Sequence, residues 1–293
     1  MDLSNQNCIV STEWLAENIE AESLRIIEAT SFLPNYFDES ASETIKRESG
    51  LPAWSSDHIQ GSIFVDLVTE LSNDRDNTAM YGLPSINQFE SLMSSKGIDN
   101  NDGVVIYDRS TNMWAARLWW LFRFFGFNNA VVLNGGYSQW VTECRPIDDK
   151  KSQYPKTKFK AKLVNQLISD KDKILKSLDQ NDVCLVNALL EDEFAGKPPH
   201  RYTRGGRIPG SKNIPFNMTV NVDNQFYVSD EQVERILKEN SLYDFNEVVC
   251  YCGGGIAACN TALLLTRMGI SNVSVYDGSM KEWGADLSLP IES

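Results

Sequence analysis

The 293-residue chain is poor in the groups that build metal sites and surfaces for polyanions. It has two histidines and six cysteines, and the pair Cys250-x-Cys252 is not matched by a second pair at a suitable spacing. That pattern argues against a zinc site. Basic residues are outnumbered 27 to 40, for a net charge of −13. Such a balance argues against a nucleic-acid partner. No apolar run approaches a membrane span, so no membrane partner is expected. Residues 1–20 lack a basic start leading into an apolar core, so no secretory signal is expected either. The cysteines form no paired framework, and the expected setting is the cytoplasm with the thiols reduced.

What is present centres on Val248-Val249-Cys250-Tyr251-Cys252-Gly253-Gly254-Gly255-Ile256-Ala257-Ala258-Cys259. The valines and tyrosine predict a buried strand, three glycines break it, and Ala257 to Met268 predicts a helix. Cys252 thus falls where a strand turns into a helix. The free amides and positive dipole end of a helix N-terminus stabilise an anion. A thiol there is favoured as the thiolate, its nucleophilic form. Cys250 points to the other side of the strand and is read as core, as is Cys259. A Cys252–Cys259 disulfide is an alternative state under oxidation.

Strands alternating with helices predict an α/β fold with a mainly parallel sheet covered on both faces. The pattern occurs twice. Val104-Val105-Ile106-Tyr107-Asp108 matches Val248 to Cys252, Gly135 to Trp140 matches Gly278 to Trp283, and His58-Ile59-Gln60-Gly61-Ser62 matches Arg207-Ile208-Pro209-Gly210-Ser211. Three matches in order, spaced by roughly 145 residues, indicate two copies of one unit. The predicted organisation is a first copy over 1–144, a polar, lysine-rich linker over 145–160 and a second copy over 161–293. Asp108 stands at the position of Cys252 in the first copy, which is therefore read as catalytically inactive, with Asp108 as a helix cap. Residues 34–57 read as loop with one helix over Ser42–Glu48, and residues 69–84 as polar loop.

From Phe194 to Val222 no acidic residue occurs, while Lys197, Arg201, Arg204, Arg207 and Lys212 do. Such a segment either attracts an anion or is a solvated loop.

These residues resemble the two-domain rhodanese-like sulfurtransferases, the group of thiosulfate and 3-mercaptopyruvate sulfurtransferases. The resemblance covers nearly the whole chain. It rests on His58-Ile59-Gln60-Gly61, Tyr107-Asp108, Ala116 to Trp120 and Gly135-Gly136 in the first half. In the second it rests on Arg207 to Pro215, the Cys252 loop, Tyr276 to Ala285 and Leu289 to Glu292. It implies two tandem rhodanese-like domains and an enzyme. Sulfane sulfur moves from a small anionic donor, thiosulfate or 3-mercaptopyruvate, to cyanide, a thiol or a protein thiol. A Cys252 persulfide carries it, cradled by Gly253, Gly254, Gly255, Ile256, Ala257 and Ala258, and the mechanism so implied needs neither a metal nor an organic cofactor. The resemblance further implies Arg201 as the donor-binding cation, with Arg204 and Arg207 behind it, and His58 as a proton relay or as a hydrogen-bonded structural residue.

The departures from the family pattern matter. Gly254 and Ala257 replace hydroxyl residues of the mercaptopyruvate-type loop, whose serine is assigned to proton transfer. Glu28-Ala29-Thr30 and Asn187-Ala188-Leu189 stand where the family has Asp-Ala-Arg, and Leu189 cannot bind an anionic group. A second reading is therefore a sulfur-relay module that turns over small donors weakly. A related phosphatase requires an arginine six residues after the cysteine, where this chain has Ala258.

Overall fold

The computed structural model describes residues 1–34, 46–73 and 81–293. Two five-stranded parallel sheets form its frame. The first contains β1 (Ile9–Val10), β2 (Leu24–Glu28), β3 (Ser62–Phe64), β4 (Gly103–Tyr107) and β5 (Ala130–Leu133), in the order β1-β5-β4-β2-β3. The second contains β6 (Ile168–Ser169), β7 (Val183–Asn187), β8 (Lys212–Asn213), β9 (Glu247–Tyr251) and β10 (Val273–Tyr276), in the order β6-β10-β9-β7-β8. The same order in both sheets is the structural form of the repeat read from the sequence.

β4 is buried along its whole length and alternates between two cores. Val105 and Tyr107 join Leu15, Ile26 and Trp140 on one face, while Val104 and Ile106 join Ile27, Trp120 and Phe122 on the other. Both faces are thus covered, as the continuous apolar strands require. The second face is shared between the halves. Helix α1 (Met113–Phe124), which follows β4, packs on helix α2 (Ala257–Arg267), which follows β9, within one apolar cluster. An interface built on buried tryptophan, phenylalanine and leucine holds the halves in one arrangement.

Two expectations change. Residues 34–57 contain a short strand, Glu48–Ser49, and a helix, Leu51–Ser56, whose Trp54 is buried. The helix read over Ser42–Glu48 lies largely outside the described residues, and Glu48 belongs to the strand instead. The reason is local, since Pro52 stands within the first turn of a helix, where a proline is tolerated. In the segment read as polar loop, Asp66 caps a helix over Leu67–Leu71, accepting from the amides of Val68 and Thr69. The polar segment after residue 144 lies against the first half. Ile147–Asp148 pairs antiparallel with His58–Ile59, Tyr154 donates to the Gly61 carbonyl at 2.8 Å, and Phe159 is buried beside Phe89. Among the described residues no helix is long and apolar enough to cross a membrane.

Candidate active site

The second sheet runs from β7 outward to β8 and then returns to β9 on the other side of β7. The crevice beyond the C-terminal ends of β7 and β9 is therefore a topological switch point, the usual ligand site of open parallel sheets. Leu189 follows β7 there and Cys252 follows β9.

The loop after β9 is oriented by its carbonyls. Helix α3 (Ser279–Ala285) offers its first amides to them: Met280 donates to the Cys252 carbonyl at 3.0 Å and Lys281 to that of Gly253 at 2.9 Å. The Cys252 amide donates to Ser279 Oγ at 3.1 Å, and that hydroxyl in turn donates to the Tyr276 carbonyl. Gly255 turns the chain into α2 with φ +79°, which a side chain would strain. The amides of residues 253–258 find no protein acceptor among the described residues, the condition of a helix's first turn.

Below the loop lies Arg117, from α1 of the first half. It is 2% exposed and pairs with Asp277 of the second half at 2.6 Å. Its other contacts are the Gly255 carbonyl at 3.4 Å and the Tyr81 carbonyl at 2.9 Å. One guanidinium thus joins both halves to the loop. Burial works against its charge, but Asp277 and the nearby Cys259 hold its pKa above the ordinary arginine value. The sequence carries a signal for this residue, because an arginine inside the apolar run Met113 to Phe124 must be buried with a partner.

Cys252, 3% exposed, lines a narrow cleft between the halves whose solvent-accessible volume is about 40 Å³. Leu33, Tyr81, Met113 and Trp114 of the first half face Leu189, Tyr202 and the loop of the second. Tyr202 stands directly over Gly253, where an added Cβ would come within 1.6 Å of its hydroxyl. Burial, with Glu193 and Cys252 nearby, pushes the Tyr202 phenol well above its usual range, so it is held protonated. Gly253→Ala should therefore lower turnover by about tenfold or more, since the ring must leave the cleft wall. Adding Tyr202→Ala should restore part of that loss, which steady-state kinetics on the two single variants and the double variant would measure.

The neighbouring thiols face inward. Cys259 donates to the Gly255 carbonyl at 3.2 Å, and burial pushes its pKa up to about 12. Burial also raises Cys250 well above the ordinary thiol value, and Cys184 to about 11. In the unfolded chain such thiols ionise near 9.0, so above that pH the folded state binds more protons than the unfolded one. Folding stability should thus fall as the pH rises from about 9 toward 11 or 12. Urea unfolding at about pH 8 and about pH 10 would detect it as a lower midpoint at the higher pH.

The other residues singled out in the sequence lie outside the residues that line this cleft. Arg201 lines a separate cleft with Lys197 and Met218, and its Nε is 3.6 Å from Glu193. Arg204 spends its guanidinium on the carbonyls of Trp283, Gly284, Asp286 and Leu289, at the end of α3. Arg207 pairs with Glu292 at 3.2 Å and lies over the Phe194 ring. The acid-free segment is thus matched by Glu193 just before it and Glu292 near the end of the chain. His58 is fully buried and stacked on Trp54, with its ring nitrogens 2.7 Å from the Trp54 carbonyl and 3.1 Å from the Lys150 carbonyl. These contacts tie the segment after residue 144 to the first half.

The first half supplies an internal control for the loop. Asp108 occupies the position of Cys252, and its carboxylate accepts from the amides of Ser110, Asn112, Trp114 and Ala115 at 2.8–3.1 Å. The same turn of the same fold therefore holds a negative group in main-chain N–H groups. Burial raises the Asp108 pKa against the pull of those amides. Gln225, from the second half, closes over it at 3.2 Å.

Comparisons with known proteins agree with the duplicated fold. The model of the rhodanese-like domain matches residues 11–143 and again 165–286. A thiosulfate sulfurtransferase of Cricetulus griseus is 32% identical over 94% of this chain and 91% of its own. A 3-mercaptopyruvate sulfurtransferase of Mus musculus is 31% identical over the same shares. Among solved structures, SseA from Escherichia coli, of the 3-mercaptopyruvate sulfotransferases with the rhodanese fold, superposes with a TM-score of 0.80 at 23% identity. It covers 93% of this chain and 98% of its own.

Proposed function

The chain belongs to the rhodanese family, and from that premise we propose that it is a sulfurtransferase carrying sulfane sulfur as a persulfide on Cys252. The observation that supports this most is the Cys252 thiol at the floor of the interdomain cleft, beside the uncommitted amides of residues 253–258. In the first half-reaction the Cys252 thiolate attacks the outer sulfur of a donor. A bond forms between the two sulfurs, the donor's bond to that sulfur breaks, and the leaving group departs with the electron pair. The loop amides stabilise the anionic outer sulfur, as an oxyanion hole does for oxygen. In the second half-reaction a nucleophilic acceptor, a thiol, a protein thiol or cyanide, takes the outer sulfur and returns the thiolate. The chain ends the cycle as it began, and the sulfur atom passes from donor to acceptor with no further oxidant or reductant. The cytoplasm, where thiols stay reduced, suits six unpaired cysteines.

Thiosulfate and 3-mercaptopyruvate, named for the relatives, are the reference donors. Incubation with each should add one sulfur atom to Cys252, read by intact mass and peptide mapping. The absence of an adduct from every donor would remove the proposal. The engagement of Arg201 with Glu193 and the presence of Leu189 in the cleft wall favour one further reading, a relay fed by another protein's persulfide. Saturable turnover of a small donor would count against it.

A further inference from the structure

The walls of the Cys252 cleft carry information about the donor. Among the described residues that line it, none is charged. Leu33, Met113 and Leu189 supply aliphatic surface, and Tyr81, Trp114 and Tyr202 supply rings. Their polar atoms are neutral hydroxyls and an indole N–H, and the Trp114 Nε1 is buried with no acceptor. Four arginines of the second half's basic segment and of α1 are engaged elsewhere: Arg117 with Asp277, Arg201 with Glu193, Arg204 with four carbonyls and Arg207 with Glu292. An anionic body entering such a cleft loses hydration and gains no countercharge from these described residues. Only the reacting sulfur, at the loop amides, meets groups that favour negative charge.

We infer that the cleft selects donors by an apolar organic group, and that its preferred donor class is an aromatic organic hydropersulfide, R–S–SH, rather than thiosulfate or a carboxylate-bearing donor. This rests on the reading of Cys252 as the sulfur carrier. The Cys252 thiolate attacks the terminal sulfur of R–S–SH, a Cys252–S–SH bond forms, and the R–S–S bond breaks. The electron pair leaves on R–S⁻, which takes a proton from solvent as the thiol R–SH. One thiolate enters and one leaves, so no oxidant or reductant is consumed. The ring of R buries apolar area against Trp114, Tyr81 and Tyr202, which favour offset or edge-to-face contacts.

The test compares benzyl hydropersulfide, cysteine hydropersulfide and thiosulfate on the reduced full-length chain. The gain of one sulfur at Cys252 is timed by quenched mass spectrometry. Cys144, exposed in the same chain, reports uncatalysed transfer. Benzyl hydropersulfide should load Cys252 about tenfold faster than either other donor, with little preference between the two hydropersulfides at Cys144. Leu189→Arg should shift the ratio toward thiosulfate, and the parent ratio alone carries the test if that variant does not fold. Equal loading by the two hydropersulfides, or faster loading by thiosulfate, would overturn the inference and leave Cys252 as the carrier. Loading by no donor would overturn both.

Discussion

Cys252→Ser should fold like the parent and lose sulfur transfer by about 10⁴-fold or more, the scale of removing a nucleophile. The replacement nearly preserves side-chain size, so the contacts of the loop with α3 persist. It removes the atom that, in the proposed mechanism, is both the nucleophile and the partner of the sulfur–sulfur bond. Two other cysteines give the contrast. Cys259 and Cys250 are fully buried, with thiols held protonated by their surroundings. Cys259→Ser and Cys250→Ser should retain turnover, with circular dichroism confirming that all three variants fold. Retention of activity by Cys252→Ser, or its loss only in Cys259→Ser, would transfer the role to another sulfur.

Arg117→Met should destabilise the fold by about 3–5 kcal/mol, because it leaves the Asp277 carboxylate without its cation at the junction of the two halves. Turnover should fall with it. The variant removes the guanidinium from the Gly255 carbonyl, leaving the Cys259 thiol as its remaining donor in the turn after Cys252. Urea unfolding reads the first effect and single-turnover sulfur loading the second. Adding Asp277→Asn should recover much of the stability, since both charges are then gone, and less of the loading, since the Arg117 contact to the Gly255 carbonyl is still missing. Equal recovery of both would make Arg117 a matter of stability alone. The pair joins β4's following helix to the segment after β10, so its loss is felt by both halves.

Much of this chain was legible before any coordinates. β4, β5 and β9 are short apolar runs each built on a Val-Val pair, and such runs form strands in buried contexts. The repeat was visible because both copies bury the same alternate positions. The Cys252 loop was visible because a strand, three glycines and an alanine-rich helix start are consecutive residues. The arginines were not legible in the same way. Arg201, Arg204 and Arg207 stand in a segment free of acids, which suggested an anion site, yet their partners are Glu193, Glu292 and the carbonyls that end α3. Arg117 appeared only as one letter of an apolar helix, because its partner is 160 residues away along the chain, at Asp277.

The amino-acid order by itself determined two α/β units and one thiol beside a helix N-terminus, because those features depend on neighbours along the chain. The folded arrangement alone decided which arginines are already paired, that Tyr202 covers Gly253, and that the described wall facing Cys252 is aliphatic and aromatic. Charge compensation and cleft walls act through space, between segments that only packing of α1 against α2 brings together.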